Sequence, residues 1–208
     1  MTRTGAIEVI CGPMFSGKTE ELIRRVRRAQ IARQRVLVFK PCIDDRYDVN
    51  DVVSHSSQRI PSQPVENVAE MRDHLEKSDF PDVVGIDEVQ FFDEDVTDFI
   101  EYLAEQGVRV VVGGLDLDYL GVPFGPIPRL LALAETVIKQ SAVCMVCGDA
   151  ATRSQRVSKQ QLGLPGMAQE PNIDDQVLVG AEDAYEARCR RCWVRGIDVP
   201  SASIHEFL

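Results

Sequence analysis

Apolar residues along the first two thirds of the chain alternate between short continuous runs and sets at helical spacing. The short runs are rich in β-branched residues and end at glycine, proline or acidic residues, which is typical of buried strands. They lie at 7–11, 36–39, 81–86 and 108–112. The helix-like segments lie at 20–33, 65–77, 93–106 and 129–134. This alternation predicts an α/β fold with a mostly parallel sheet, right-handed crossovers and flanking helices.

Two stretches break this pattern within the part that alternates. Residues 42–64 are polar, lack a sustained period and are long for a simple connection, which predicts a functional or mobile loop. Residues 113–121 combine glycines, acids and an aromatic just past a strand end. A loop of this composition at that place is expected to contact a substrate.

The apolar pattern changes again near residue 141. A strand-like segment at 150–157 is followed by a glycine- and proline-rich stretch at 161–172. The surrounding segment 159–175 is predicted to be a flexible loop. We therefore divide the chain into an α/β core at 1–140 and a small second domain at 141–208.

The first strand leads into a motif for binding phosphate. Gly12, Gly17, Lys18 and Thr19 occupy every fixed position of the pattern G-x-x-x-x-G-K-[ST], between a strand and a helix. The two glycines allow successive N–H groups to surround an anion, and the following helix directs its positive dipole end to the same point. Lys18 would neutralise phosphate charge and the Thr19 hydroxyl would bind Mg²⁺. The motif predicts a nucleoside triphosphate site.

A pair of acids, Asp87 and Glu88, follows the strand at 81–86. Open α/β sheets bind ligands beyond the carboxyl ends of their strands, so this pair is expected to meet Lys18 and Thr19 there. One carboxylate can hold Mg²⁺ while the other accepts a proton from an attacking hydroxyl. The same pair would equally fit an ATPase in which the glutamate activates water.

Four of the six cysteines form two C-x-x-C pairs, Cys144 with Cys147 and Cys189 with Cys192. Two such pairs predict a tetrahedral zinc site, because each places two thiolates close together. A redox-active C-x-x-C is the alternative, but it would not need a second copy. Four thiolates leave no open position on the metal, so its role would be structural. Cys11, at a buried strand end, is interpreted as a small core residue.

The charge balance bears on the partners. The chain has 23 Lys and Arg against 33 Asp and Glu, a formal net charge of −10. Nucleic-acid binding depends on basic side chains that neutralise phosphates, so we expect no nucleic-acid partner. The densest basic run, at 24–35, is interpreted as a solvated helix face or a subunit interface. With no signal-peptide pattern and no apolar run of membrane-spanning length, the protein is expected to be cytoplasmic, without a membrane partner.

Several short motifs coincide, in order, with those of one known family. They are 12–19, 44–47, 87–92, 114–116 with 123–126, and Tyr185 between the cysteine pairs. Together they resemble the type II thymidine kinases, the cytosolic zinc-containing kind, in their bacterial form. The resemblance runs from about Ile7 to Trp193 and so covers almost the whole chain.

The resemblance implies a fold and a reaction. The family has a recombinase-like P-loop NTPase core and a small zinc-binding domain with a lasso loop that closes over the nucleoside. Its members transfer the γ-phosphate of ATP to the 5′-hydroxyl of thymidine and give dTMP. By position, Glu88 would be the general base, and Asp87 with Thr19 would hold Mg²⁺. The resemblance also implies a homotetramer that is inhibited by dTTP.

The family also implies contacts for both substrates. Those to the nucleotide would be Gly12, Pro13, Met14, Phe15, Ser16, Gly17, Lys18, Thr19, Asp87, Glu88, Val89 and Gln90. Those to thymidine would be Met14, Asp44, Arg46, Phe91, Leu115, Tyr119, Gln176, Val177, Leu178, Val179, Gly180 and Tyr185. The 176–180 segment would bind the thymine edge through its main chain. Tyr119 stands where many members have Phe, which keeps a stacking surface and adds a hydroxyl.

Two other classes of protein fit parts of the sequence. One is a nucleic-acid-directed P-loop ATPase with a zinc ribbon, which the acidic charge and the aromatic Phe91 beside the acids disfavour. The other is a non-catalytic nucleotide-binding regulator, which conflicts with the presence of Glu88 where a base belongs.

Overall fold

The computed structural model of the protein describes residues 4–42, 51–53, 59–76, 80–158, 184–196 and 199–200. The strands are β1 (Ala6–Gly12), β2 (Val36–Pro41), β3 (Asp51–Val53), β4 (Arg59–Pro61), β5 (Gln63–Val65), β6 (Val83–Ile86), β7 (Arg109–Leu115), β8 (Thr136–Lys139), β9 (Ala142–Val143), β10 (Ala150–Ala151), β11 (Arg153–Ser158), β12 (Tyr185–Arg188) and β13 (Val199–Pro200). The helices are α1 (Lys18–Ile31), α2 (Val68–Glu76), α3 (Asp95–Glu105) and α4 (Ile127–Leu133), with a 3₁₀ turn at Val89–Phe91.

A six-stranded sheet in the order β5-β2-β6-β7-β1-β8 forms the centre of the fold. Every neighbouring pair in it is parallel. The register pairs Gly12 at the end of β1 with Leu115 at the end of β7, and Ile86 at the end of β6 with Val112 of β7. The carboxyl ends of these three central strands therefore share one edge of the sheet. The predicted α/β class with a mostly parallel sheet is confirmed.

Helices cover both faces of the sheet. Helix α1 packs on one face, where Leu22, Ile23 and Val26 join Ile10 and Val111 in a buried cluster. Helices α2, α3 and α4 pack on the other face, in the larger of the two main-sheet clusters. Since the central strands are buried on both faces, their sequences read as continuous apolar runs rather than as alternating patterns. Among the described residues, no helix is long and apolar enough to cross a bilayer.

Three smaller sheets complete the part of the fold that the structure describes. Strands β3 and β4 pair as an antiparallel ribbon, and β9 pairs with β10. Strand β11 lies between β12, with which it is antiparallel, and the short β13. All strands of the main sheet precede residue 140, and the β9–β10 and β11–β12–β13 sheets follow it.

Several predicted elements are wrong in extent. The stretch 42–64 contains β3, β4 and the start of β5, and the helix predicted from residue 65 begins at Val68. Strand β5 is an edge strand that contains Pro64, a residue compatible with a sheet mainly at its edges. The edge strand β8 was not predicted because it has no buried apolar run. Its residue Val137, for example, is 44% exposed.

Two further boundaries differ. Helix α3 does not begin at a capping Asp93: it begins at Asp95 after Glu94, which makes no side-chain cap hydrogen bond. The strand predicted at 150–157 is interrupted at Thr152, between β10 and β11. Cys11 is fully buried in the main core cluster, which confirms its interpretation as a core residue.

An ionic network joins α1 to the sheet. Glu8 accepts hydrogen bonds from Arg109 at 2.6 and 2.9 Å and pairs with Arg25. Arg25 also donates to Glu21 at 2.8 Å. Arg25 is buried, so the interpretation of the basic run as a solvated face is wrong at this position. Burial alone would raise the pKa of Glu8, but the hydrogen bonds and charges of Arg109 and Arg25 hold that pKa below its ordinary value.

We expect Glu8→Gln to lower the free energy of unfolding by roughly 1.5–3 kcal/mol near neutral pH, because it removes charge-assisted hydrogen bonds. A carboxyl whose native pKa is lowered stabilises the fold above its unfolded pKa, about 4.3, and loses that contribution as the pH falls through the native value. The difference between variant and wild type should therefore shrink in acid. Urea unfolding across pH, with the exposed Glu105→Gln as control, checks this. An equal difference at all pH values would contradict it.

Candidate active site and cysteine cluster

The glycine loop follows β1 and bends sharply at both ends. Gly12 has φ 148°, and a Cβ there would lie 2.5 Å from the carbonyl oxygen of Gln140. Gly17 has φ 81° and immediately precedes α1. The Gln140 N–H donates to the Cys11 carbonyl at 2.7 Å, so the chain beyond β8 fixes the start of the loop. Glycine is required at Gly12 by this close approach, and the left-handed backbone at Gly17 favours it there.

Lys18 lies inside the loop rather than in solvent. Its ammonium is buried and donates to the Pro13 carbonyl at 2.9 Å. The Ser16 hydroxyl donates to the same carbonyl at 2.8 Å. A positive charge held within a turn beside a helix N-terminus creates a site for an anion.

Asp87 lies directly beyond β6, and the nearby Thr19 hydroxyl is one of the groups that lower the pKa of its carboxylate. Its side chain is buried and packs over Gly113, where a Cβ would lie 3.1 Å from Oδ1. Within the described part of the chain, Oδ1 has no hydrogen-bond partner. Burial and the neighbouring Glu88 carboxylate raise the pKa of Asp87 to about 7.

This environment suits a cation. A buried carboxylate oxygen without a donor is costly, and a divalent ion beside it would remove that cost. Mg²⁺ prefers oxygen ligands such as carboxylate and hydroxyl groups. The side chains of Thr19 and Asp87 therefore fit the ion that the sequence predicts there.

Glu88 has a different environment from Asp87. Strand β6 has already ended at Ile86, and Glu88 adopts a left-handed conformation, with φ 49° and ψ 42°. Its side chain is half-buried, and its Oε2 accepts a hydrogen bond from Nε2 of Gln90 at 2.5 Å. The two carboxylates thus differ in burial and in partners, as two separate roles would require.

Aromatic residues flank these acids. The rings of Phe91 and Phe124 meet edge to face, with centroids 5.7 Å apart. Leu115, the last residue of β7, and Tyr119, four residues beyond it, are buried. The guanidinium of Arg156 lies 4.4 Å from the centroid of the Tyr119 ring, within the range of a cation–π contact.

Strand β11 reaches this region from the second part of the chain. The Ser154 hydroxyl accepts a hydrogen bond from the Met14 N–H at 3.0 Å. Arg156, which contacts Tyr119, is also the register partner of Tyr185 on β12. Sequence reasoning missed Ser154 and Arg156. The sequence feature that could have identified them is their i, i+2 spacing in a strand, which directs both side chains to the same face.

Some of the residues that the sequence assigned to the substrates cannot be placed. Asp44, Arg46, Gln176, Val177, Leu178, Val179 and Gly180 lie outside the described residues, so their roles stay predictions. Val89 and Gln90 are both buried. Val89 packs in the main core cluster, and the side chain of Gln90 bonds Glu88 and the Leu115 N–H. Their assignment to the nucleotide also stays a prediction.

The four paired cysteines form one cluster, in which all sulfur atoms lie within 4.8 Å of one another. Cys147 and Cys189, from different pairs, have sulfurs 3.6 Å apart. Tetrahedral zinc with Zn–S bonds of about 2.3 Å requires separations of about 3.8 Å. Although burial opposes it, main-chain N–H groups lower the pKa of Cys144 to about 6, which favours the thiolate that a metal binds. The donor set and its spacing fit a structural zinc ion.

Each pair is held by a tight turn. The Gly148 N–H donates to the Cys144 carbonyl at 2.9 Å, and the N–H groups of Cys192 and Trp193 donate to the Cys189 carbonyl at 3.1 and 3.0 Å. The Trp193 ring packs against Gly121, where a Cβ would lie 2.7 Å from it. The cluster is thereby joined to the loop that follows β7.

The parallel sheet, and the loop, lysine and carboxylates gathered at its carboxyl edge, place the protein among the α/β nucleotide-binding proteins. Its sequence matches the family model described as thymidine kinase over residues 5–193. The chain belongs to the thymidine kinase family, and its cysteine cluster fits the zinc-containing type II. The protein is therefore an ATP-dependent kinase, a transferase that phosphorylates thymidine, which confirms the resemblance drawn from the motifs.

We expect Cys189→Ser to remove zinc from the purified protein, because three thiolates bind the ion much more weakly than four. Metal content by mass spectrometry should fall from one zinc per chain to near zero, with a lower thermal midpoint. Cys42→Ser, a change of an exposed thiol outside the cluster, should retain the metal. Full zinc content in Cys189→Ser would contradict the assignment.

Proposed function

We propose that the protein transfers the γ-phosphate of ATP to the 5′-hydroxyl of thymidine and gives dTMP, with Glu88 as the general base. The observation that carries this proposal is the meeting of Lys18, Thr19, Asp87 and Glu88 beyond the ends of β1 and β6. Phosphoryl transfer requires positioning and charge neutralisation more than covalent chemistry. These residues supply groups for both tasks.

The nucleotide would bind in the glycine loop, at residues 12–19. The buried Lys18 ammonium now bonds the Pro13 carbonyl, and in the complex it would turn to the β- and γ-phosphates. The loop amides and the start of α1 would bind the remaining phosphate oxygens.

Thr19 and Asp87 would hold Mg²⁺, directly or through water. When bound, the ion neutralises charge on the phosphates. Asp87 is suited to this task because it is buried near Thr19 and its Oδ1 has no hydrogen-bond partner among the described residues.

Glu88 would accept the proton of the 5′-hydroxyl. Its half-exposed position supports this role, because a base must reach a substrate that enters from solvent. Asp87 is too buried to serve. A positioned general base contributes on the order of 10²–10⁴ to the rate.

Thymidine would bind between the aromatic residues and β11. Met14, Phe91, Leu115, Tyr119 and Tyr185 would form the pocket. Support comes from the contacts of Ser154 with Met14 and of Arg156 with Tyr119, which connect Met14 and Tyr119 through one strand. Asp44, Arg46 and the 176–180 main chain would complete the site, as the family resemblance implies.

The resemblance adds a homotetramer and inhibition by dTTP, and the sequence pattern adds a cytoplasmic location and a domain boundary near residue 140. An interface on α1 is supported by its exposed face, where Ile31 is 82% exposed. Inhibition by dTTP is chemically reasonable because that molecule carries both the nucleoside and a triphosphate.

Glu88→Gln should retain ATP binding and lose about 10²–10⁴-fold in turnover, since the amide cannot accept the proton. The assay uses γ-labelled ATP with thymidine, or with single-stranded DNA, and measures labelled dTMP and free phosphate. Glu94→Gln, a change of an exposed acid nearby, is the control. Near wild-type dTMP formation by Glu88→Gln would refute the base, and DNA-stimulated phosphate release without dTMP would refute the kinase reaction.

Asp87→Asn should raise the Mg²⁺ concentration for half-maximal activity by at least about tenfold, because even outer partners of a metal site contribute that much. The control is Asp118→Asn, a change of a buried acid beyond the same edge whose Oδ1 accepts the Val122 N–H at 2.8 Å. A magnesium titration of initial rates measures both. An unchanged Mg²⁺ requirement in Asp87→Asn would exclude this residue as a ligand.

A further inference from the structure

We propose that Gln90 is a positioning residue, whose side-chain amide holds the Glu88 carboxylate in its reactive orientation and ties it to Leu115. The inference rests on the proposed role of Glu88 as the base. Gln90 would then affect phosphoryl transfer by orienting Glu88, rather than by contacting the nucleotide.

Two hydrogen bonds determine how the amide is oriented. The Leu115 N–H donates to Oε1 of Gln90 at 3.0 Å, and Nε2 of Gln90 donates to Oε2 of Glu88 at 2.5 Å. A main-chain N–H can only donate, so the amide oxygen must face Leu115. The NH₂ group is thereby directed at the carboxylate.

The surroundings leave the amide little freedom. Gln90 is only 3% exposed. A Cβ at Gly114 would lie 2.7 Å from its Oε1, and a Cβ at Gly125 would lie 2.5 Å from its main-chain oxygen. The absence of a side chain at Gly114 therefore leaves room for the Gln90 amide, and the absence of one at Gly125 leaves room for the Gln90 main chain.

Glu88 needs such a support. It lies beyond the end of β6 in a left-handed conformation, and its side chain is not enclosed by the core. The bond from Gln90 engages Oε2 and leaves Oε1 to accept a proton. A carboxamide donates a hydrogen bond but is not a base near neutral pH, so it orients Glu88 without competing for the proton.

The link to Leu115 joins two parts of the site. Leu115 ends β7 and is assigned to the thymidine pocket, whereas Glu88 follows β6. One side chain thus sets the distance between the wall of the acceptor pocket and the base. Since misplacement of a reacting group by 1 Å can cost about 100-fold in rate, loss of Gln90 should affect kcat rather than the KM for ATP.

The test uses two substitutions of similar length. Gln90→Met removes both hydrogen bonds, and Gln90→Glu keeps an acceptor for Leu115 but removes the donor to Glu88. Both should lower kcat by about 10- to 100-fold with the KM for ATP within about twofold. If Gln90→Glu retains wild-type kcat, the bond to Glu88 has no role and the proposal is wrong.

A double-mutant cycle shows whether Gln90 acts through Glu88. In the Glu88→Gln background, Gln90→Met should change the residual single-turnover rate by less than about twofold. Equal losses in both backgrounds would overturn the proposal. The matched control is Gln155→Met, at a buried glutamine whose Oε1 accepts the Val194 N–H at 2.7 Å; its effect should be the same in both backgrounds.

The same cycle separates this proposal from the proposed function. Near wild-type turnover by Glu88→Gln alone would refute the assignment of Glu88 as the base. The proposal for Gln90 would then fail as well, because it rests on that assignment. A large loss in Glu88→Gln, together with background-independent effects of Gln90→Met, would leave the base in place and refute only the role of Gln90. Thermal unfolding of each variant identifies any loss of rate that comes from a loss of fold.

Discussion

Parallel pairing brings the carboxyl ends of β1, β6 and β7 to one edge of the sheet, and the groups of the candidate site depend on this arrangement. The glycine loop begins where β1 ends, the acids follow β6, and Leu115 closes β7. None of these segments is near the others in sequence. The register between strands sets their distances, and the buried clusters on both faces hold that register.

At this edge of the sheet, the adjacent acids Asp87 and Glu88 differ in burial because the backbone changes direction between them. Asp87 continues the line of β6 and is buried, while the left-handed turn at Glu88 directs the next carboxylate into a half-exposed position. Burial raises the pKa of Asp87 to about 7 and favours a cation beside it. A substrate hydroxyl can reach Glu88. Two residues of similar chemistry are thereby fitted for different tasks.

Much of this could be predicted because the signals are local. Buried central strands such as β7 read as apolar runs, and the glycine loop and the cysteine pairs are encoded by spacing. The edge strand β8 could not be predicted, since an exposed strand paired on one side lacks such a run. The contacts of Gln90 with Leu115, and of Ser154 with Met14, join residues 25 and 140 positions apart, so only the tertiary structure reveals them.

The hydrogen bond from the Met14 N–H to Ser154 connects the phosphate loop to the strands that carry the cysteine cluster. Ser154 lies on β11, β11 pairs with β12, and β12 ends beside Cys189. One strand pairing and one hydrogen bond thus connect the cysteine cluster to the phosphate loop. Because coupling between two sites is reciprocal, a nucleotide that keeps this hydrogen bond would favour the bound metal, and one that breaks it would oppose it.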